Sequence, residues 1–282
     1  MPTAKQRADL PEFGKPPVTE VLLSIQFATL DRMRTHLFGL LWNEFRREYP
    51  VVSEQPPLTP VFEIFGGERE ASRSFTFEAR FAPLTPRFWF ESDDGVHLLQ
   101  IQQDRLIHNW RKRNEDAIYP RYEALLGRFI GDIDRVQHFL AREDLGTLSP
   151  NQCEVAYINT IELPGRADPH INLDRVTPLW GGWRGPPGVA ELENATVQAR
   201  AVIDEGGTPI GRLYVNITPV ILLSEARPAV QVELVARGRP LSASIDDAIR
   251  LLNVERSAIV RTFEKITAPE LHTIWEMANA NS

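Results

Sequence analysis

The sequence has few of the residues that cross-link a chain or bind metals. Cys153 is the single cysteine among 282 residues. A disulfide needs two cysteines and a cysteine-based metal site needs more than one, so neither can form within this chain. The hydrophobic share of 43% and the charged share of 24% are typical of a globular protein. We therefore predict a core stabilised by packing, in a reducing compartment.

Long hydrophobic runs and an excess of basic residues are also absent. No window approaches roughly 18 consecutive apolar residues, so no membrane-spanning helix is predicted, and residues 1–16 lack the apolar centre of an export signal. The net charge of −7 opposes a broad phosphate-binding surface, because nucleic-acid affinity rests largely on Lys and Arg. We expect a cytoplasmic protein with no membrane or nucleic-acid partner.

The short motifs that carry enzyme chemistry are missing as well. There is no G-x-S-x-G turn, no phosphate-binding loop ending in Gly-Lys-Ser/Thr and no G-x-G-x-x-G run. No two of the six histidines stand four residues apart, the spacing that places two zinc ligands on one helix face. We expect no metal, no cofactor and no catalytic residue. An enzyme stays open as an alternative, because catalytic groups are often distant in sequence.

The first half of the chain, residues 17–148, follows a polar segment predicted to be a flexible arm, residues 1–16. Hydrophobic spacing predicts a strand in VTEVLLSIQFA, a helix from Asp31, its N-cap, to Tyr49, and a proline-broken loop at residues 51–60. Period-two alternation then predicts short strands in VFEIF, SFTFEARFAP, RFWFES, VHLLQIQ and RLIHNWRK. A helix from Pro120 to about Leu140 completes this half.

The second half, residues 149–282, repeats this order. CEVAYINTIEL resembles the first strand, and ATVQARAVI, IGRLYVNITPVIL and AVQVELVARG predict further strands after a Gly/Pro/Trp-rich connection. A helix from Ile245 to Ile266 has Ser244 as its predicted N-cap. A short last helix is predicted from Thr267, where Thr267 and Glu270 have the spacing of a capping box.

The pattern of elements predicts an α+β fold. Antiparallel strands occur in runs with helices between the runs, which is typical of antiparallel sheets that carry long helices on one face. Because strand, connection, strands and long helix occur twice, we predict two pseudo-repeated halves, in a saddle-like or helix-grip-like arrangement. The sequence leaves open whether both halves share one sheet.

The hairpin LLQIQQDRLIHNWRKR, residues 98–113, is the main candidate binding site. Alternation along its strands, joined by a turn at Gln103 and Asp104, separates the glutamines from the aliphatic residues. Trp and Arg are enriched at binding hot spots, so a polar face of this hairpin suits a polar partner. Alternatively, the side chains of that face are solvated or hydrogen-bond one another. Two faces are candidates: Gln100, Gln102, His108 and Trp110, or Arg105, Asn109 and Arg111.

A loop rich in glycine and proline holds a second candidate contact. Trp180 and Trp183 lie in LWGGWRGPPGVAELENA. Amphipathic aromatic residues on a loop either fold down as a local plug or stay exposed for a partner. We predict the plug first and the contact second.

Four stretches of the sequence, taken together, resemble a known protein family. PPVTEVLLSIQF, RFWFESDDGVHLLQIQQDRLIHNWRK, YPRYEALLGRF and NQCEVAYINTIEL together resemble an uncharacterised bacterial family of about this length, sporadically distributed among bacteria. The resemblance covers nearly the whole chain from Pro17, and the string ending in NW before a basic residue is its most specific part. It implies one bacterial cytoplasmic fold spanning both halves and transfers no site residue. Patchy distribution is typical of accessory genes, including toxin–antitoxin and defence genes.

These observations predict a non-enzymatic binding or regulatory protein that recognises a protein partner or a small polar ligand. An antitoxin-like or defence-associated role is one concrete form. The alternative is an enzyme with its active site between the halves, which would show a deep pocket there containing His108 or an acidic residue with a shifted pKa. A homo-oligomer is left open.

Overall fold

The computed structural model describes residues 10–65, 85–114, 117–163, 165, 167–189, 192–222 and 227–278. The predicted strand SFTFEARFAP lies outside these residues. The elements are β1 (Glu12–Phe13), β2 (Val18–Phe27), α1 (Thr35–Phe45), β3 (Val51–Gln55), β4 (Arg87–Glu91), β5 (His97–Gln102), β6 (Arg105–Arg111), α2 (Tyr122–Arg142), β7 (Pro150–Ile161), a 3-10 turn (Leu173–Arg175), β8 (Val197–Glu205), β9 (Thr208–Leu222), β10 (Arg227–Gly238), α3 (Ile245–Ile266), α4 (Pro269–Ile274) and β11 (Met277–Ala278).

The two halves share one sheet. The strands of the described residues form a nine-stranded antiparallel sheet in the order β3-β4-β5-β6-β2-β7-β10-β9-β8, and β1 pairs separately with β11. β2 and β7 meet at the centre, where Leu22 lies opposite Ala156. On either side, the last strand of each half, β6 or β10, lies beside the first, β2 or β7. The predicted α+β class with antiparallel strands is confirmed.

Both long helices pack on the same face of this sheet. On β2, Leu23 lies opposite His108 and Ile25 lies opposite Cys153, so these four side chains share a face. His108 Nδ1 is 2.8 Å from Asp132 Oδ2 in α2, and Cys153 Sγ is 3.7 Å from the α3 carbonyl of Ala248. The core therefore lies between this face and the helices. We call the opposite side of the sheet the open face.

Amphipathic spacing explains the long helices. In α2, residues such as Phe129, Ile133 and Val136 are buried at helical intervals. In α3, Ile259 and Phe263 are buried at the same spacing. The α3 boundaries agree with the prediction, and the predicted cap is confirmed, since Ser244 Oγ accepts a hydrogen bond from Asp247 N at 3.1 Å.

Three local predictions are wrong. α1 begins at Thr35 without a side-chain cap, so Asp31 is not its N-cap. α4 begins at Pro269, and the Thr267 hydroxyl donates to the Phe263 carbonyl at 2.6 Å instead of capping the next helix. Residues 51–55, predicted as a loop, form β3 at the end of the sheet order, where the following prolines need not fit between two strands.

Residues 56–65, which we call the crossing segment, run across the open face. VFEIF was predicted to be a strand, but residues 56–65 have no helical or strand structure. Pro56, Pro57 and Pro60 have no N–H to donate to a ladder, and the segment lies across the strands instead of beside one. Its backbone bonds to side chains of the sheet.

The chain packs into the fold before Pro17. Within the predicted arm, Leu10 and Phe13 are buried, and Phe13 contacts the rings of Phe263 and Trp275 at centroid distances of 5.6 and 6.0 Å. Arg121 donates to the Phe13 carbonyl at 2.8 Å. Residues 10–16 are therefore held against α3 and the start of α2. In the described part of the chain, no helix is long and apolar enough to cross a membrane.

Candidate functional site

The predicted hairpin forms, but its two faces differ from the predicted grouping. The turn at Gln103 and Asp104 places Gln102 directly opposite Arg105, and residues paired across strands share a face. The grouping of the glutamines with His108 and Trp110 is therefore wrong. The open face of the hairpin carries Gln100, Gln102, Arg105, Asn109 and Arg111, whereas His108 and Trp110 face the helices.

Gln100 and Asn109 belong to a continuous series of hydrogen bonds between side chains of the sheet. Arg87 and Trp89 donate to Gln100 Oε1 at 2.7 and 3.0 Å, Gln100 Nε2 donates to Asn109 Oδ1 at 2.6 Å, and Asn109 Nδ2 donates to Glu20 Oε1 at 2.6 Å. Both amides are buried. These side chains satisfy each other across four strands, which is the alternative to a binding role.

The remaining open-face residues of the hairpin are also engaged. Arg111 pairs with Glu91 at 2.9 Å and donates to the Gly95 carbonyl at 2.9 Å. Gln102 and Arg105 bond to the backbone of the crossing segment. The hairpin thus orders neighbouring strands and a neighbouring segment.

His108 lies in a buried network under α2. Its Nδ1 contacts Asp132, its Nε2 is 3.2 Å from His97 Nδ1, and the Tyr49 hydroxyl is 3.4 Å from Asp132 Oδ2. Burial lowers the pKa of His97 to about 4, helped by the nearby positive charge of Arg128. His108 and Trp110 are each 1% exposed, so neither can contact a partner directly.

The two loop tryptophans differ in solvent exposure. Trp180 is partly buried and packs against the core, as predicted for a plug. Trp183 is 47% exposed. The loop therefore has one anchoring aromatic residue and one accessible one.

A cavity of about 250 Å³ lies on the helix side, where the two halves meet. The first half contributes residues before and at the start of α2, the second half contributes β7 and α3, and residues 11–18 close one side. Three of the five tyrosines of the chain converge there. The polar residues around the cavity are Glu12, Tyr119, Arg121, Tyr122, Glu123, Tyr157, Asn159 and Arg256.

Backbone geometry at the cavity is unusual. Arg121, directly before α2, has a φ of 72°, a conformation that costs a residue other than glycine on the order of 1–3 kcal/mol. Its guanidinium donates to the carbonyls of Phe13 and Gly14 at 2.8 and 3.2 Å. Such strain concentrates at functional sites, and the hydrogen bonds of the Arg121 side chain hold residues 13–14 beside the cavity.

Two buried polar atoms at the cavity have no hydrogen-bond partner among the described residues: Tyr122 Oη and Arg256 Nε. The Arg256 guanidinium carbon lies 5.3 Å from the centre of the Tyr122 ring, so the two groups are neighbours. Tyr119 and Tyr157, in contrast, share a hydrogen bond of 2.9 Å. The cavity therefore presents unused hydrogen-bonding capacity beside apolar walls such as Ile259 and Phe263.

Burial controls the protonation of this region. It raises the pKa of the Tyr119, Tyr122 and Tyr157 hydroxyls, so all three stay neutral at pH 7. Burial also raises the pKa of the Glu255 carboxyl well above its usual range, and neither Glu255 oxygen has a partner among the described residues. Glu255 does not line the cavity, although its charge would act on Tyr122.

Sequence reasoning missed these residues. The sequence patterns do not single out Tyr122, and the string YPRYEALLGRF contributes only to the family resemblance. The usable signal was the pair of tyrosines around Pro120 and Arg121, immediately before an amphipathic helix. The partners Tyr157, Asn159 and Arg256 come from the other half and become neighbours through tertiary structure.

The comparisons add no functional assignment. No protein-family model, curated protein or solved structure matches the chain. Within the residues that the structure describes, no group of three or more His, Cys, Asp and Glu side chains is arranged to hold a metal ion. The family resemblance stays a prediction.

Proposed function

We propose that the protein is a non-enzymatic cytoplasmic binding or regulatory protein that holds a small polar ligand in the cavity between its halves. The observation that carries this proposal is the pair of orphaned polar atoms, Tyr122 Oη and Arg256 Nε, at one cavity. Buried polar groups in folded proteins nearly always have partners, so an unpaired donor beside a cavity favours a bound acceptor.

The lining defines the chemical class of the ligand. The cavity of about 250 Å³ lies just below the range of roughly 300–1,000 Å³ typical of drug-sized ligands, which indicates a metabolite-sized molecule. Val18, Ile259 and Phe263 offer an apolar surface, and Arg256 with Tyr122 suits a carboxylate or another strong acceptor. The ligand is a small carboxylic acid with a ring or a short aliphatic body.

Isothermal titration calorimetry with a panel of aliphatic and aromatic carboxylic acids tests this proposal. An acid that binds the wild-type protein should bind Arg256→Met and Tyr122→Phe at least about 10-fold more weakly, because each variant removes a hydrogen bond to a charged group. Arg250→Met on the same helix is the matched control, since Arg250 pairs with Glu205 outside the cavity. Equal affinity in all variants would place the ligand elsewhere.

An enzyme acting in the same cavity is the second candidate. The raised pKa of Glu255 favours it, because a carboxyl whose pKa is raised by burial can serve as a general acid. The fact that Glu255 does not line the cavity supports the binding role instead. Chemical change of a bound acid during incubation, lost in Glu255→Gln, would favour the enzyme.

We further infer that residues 17–148 and 149–282 are pseudo-repeats that together build a saddle-like or helix-grip-like arrangement. The return of β6 beside β2 and of β10 beside β7, each before a long helix, supports this. For an antitoxin-like or defence-associated role, gel filtration after co-expression with neighbouring genes should show a second chain co-eluting.

A further inference from the structure

The crossing segment is bound as an extended peptide would be. Gln102 Oε1 accepts from Leu58 N at 2.9 Å, and Gln102 Nε2 donates back to the Leu58 carbonyl at 2.9 Å. Gln26 Oε1 accepts from Val61 N at 2.9 Å, and Gln152 Oε1 accepts from Glu63 N at 3.2 Å. The bonds of these glutamines, on β5, β2 and β7, to the segment go to its backbone atoms, so this part of the recognition does not depend on the side chains of the segment.

The C-terminal part of the segment is bound through the side chain of Glu63. The Glu63 carboxylate is 3% exposed and pairs with Arg212, accepts from the Tyr214 hydroxyl at 2.8 Å and lies 3.8 Å from Arg237. Arg212 also donates to the Ile64 carbonyl at 2.7 Å. Without Glu63, the positive charge of Arg212 would have no acidic partner among these contacts. The clamp therefore selects a carboxylate at this position.

Apolar burial contributes little to holding the segment. Phe62 and Ile64 are 54% and 68% exposed, and Val61 is 38% exposed. Charge-assisted and amide hydrogen bonds thus carry most of its attachment, and another extended chain with a carboxylate at the same place could make all of them.

We propose that the open face under the crossing segment is a binding site for an extended acidic segment of a partner protein, and that residues 58–64 occupy this site in the free protein. Backbone contacts from the glutamine row supply affinity for any extended chain. The Arg212, Tyr214 and Arg237 clamp supplies the requirement for an acidic side chain. Because the internal occupant is tethered, it competes at a high effective concentration.

A fluorescent peptide with the sequence of residues 55–65 tests this proposal by anisotropy. Glu63→Gln in the protein weakens the internal occupant, so this variant should bind the peptide on the order of 10- to 100-fold more tightly than the wild type, the change expected from lost charge-assisted hydrogen bonds. A peptide with glutamine at the Glu63 position should bind the variant correspondingly more weakly. Glu54→Gln, in the neighbouring strand β3, is the matched protein control and should bind like the wild type.

Hydrogen exchange of the wild-type protein provides an independent measurement. A saturating concentration of the acidic peptide should speed exchange of the Leu58, Val61 and Glu63 amides, because these leave their glutamine partners. If circular dichroism shows a folded Glu63→Gln protein that does not bind the acidic peptide, or if exchange at these amides is unchanged, the segment is a permanent part of the fold and the proposal is overturned.

Discussion

Tyr122 Oη and Arg256 Nε at the cavity, and both carboxylate oxygens of Glu255 nearby, are among the buried polar atoms without a hydrogen-bond partner in the described residues. Other buried polar side chains are paired, for example Gln100 with Asn109 and His108 with Asp132. Leaving a buried group unpaired costs roughly 1–3 kcal/mol, a large part of the stability of a domain. Retaining such groups at a cavity is understandable if a ligand completes their hydrogen bonds.

Replacing Tyr122 by phenylalanine should stabilise the ligand-free protein. The change removes an unpaired hydroxyl and keeps the ring, so we expect the free energy of unfolding to rise by about 1 kcal/mol while ligand affinity falls. Urea denaturation measures the first effect. Tyr119→Phe is the matched control, and it should destabilise because it removes the hydrogen bond between Tyr119 and Tyr157. A destabilised Tyr122→Phe protein would show that the hydroxyl is satisfied.

Glu255→Gln should flatten the pH dependence of stability. The pKa of Glu255 is raised in the folded protein from an ordinary value of 4.5, so above that pH the folded state holds a proton that the unfolded state has released. Stability therefore falls as pH rises from about 4.5 toward the folded pKa, by up to about 1.4 kcal/mol per pH unit.

The difference in unfolding free energy between Glu255→Gln and wild type should accordingly grow as pH rises above about 4.5 in urea titrations. A constant difference for Glu255→Gln would mean that its carboxyl ionises normally.

Individual elements were predictable where one local pattern decides them. The α3 helix has both an amphipathic stripe and a Ser cap, and its bounds were correct. The capping-box spacing at Thr267 gave a wrong helix start, because the Thr267 hydroxyl donates to the Phe263 carbonyl of the preceding helix. VFEIF alternates like a strand, yet it crosses the sheet, because sequence alternation does not reveal the direction in which a segment approaches its neighbours.

The contact between α2 and β6 includes the buried pair of Asp132 and His108. Asp132→Ala should leave His108 Nδ1 without its acceptor and lower the free energy of unfolding by about 1–3 kcal/mol. Asp134→Ala, on the same helix with an exposed side chain, should change it by less than about 0.5 kcal/mol. Thermal or urea unfolding of both variants is the measurement, and equal small effects would show that the network relaxes around the missing carboxylate.

At the scale of the whole molecule, the central pairing of β2 with β7 brings together residues far apart in sequence. It places Tyr157 of one half beside Tyr119 of the other. The α+β class followed from the order of elements, whereas the strand order and the cavity depend on which strands meet. The hairpin was singled out correctly as a structured polar region, but its register, set by a two-residue turn, decides which side chains face outward.

Native mass spectrometry of the intact protein purified from its own host tests the central claim most directly. We predict that the wild-type protein carries an additional small acidic molecule, which is absent or strongly reduced in Arg256→Met and retained in the Arg250→Met control. Retention of the same molecule by Arg256→Met, with both variants folded, would contradict a ligand site at the cavity between the halves.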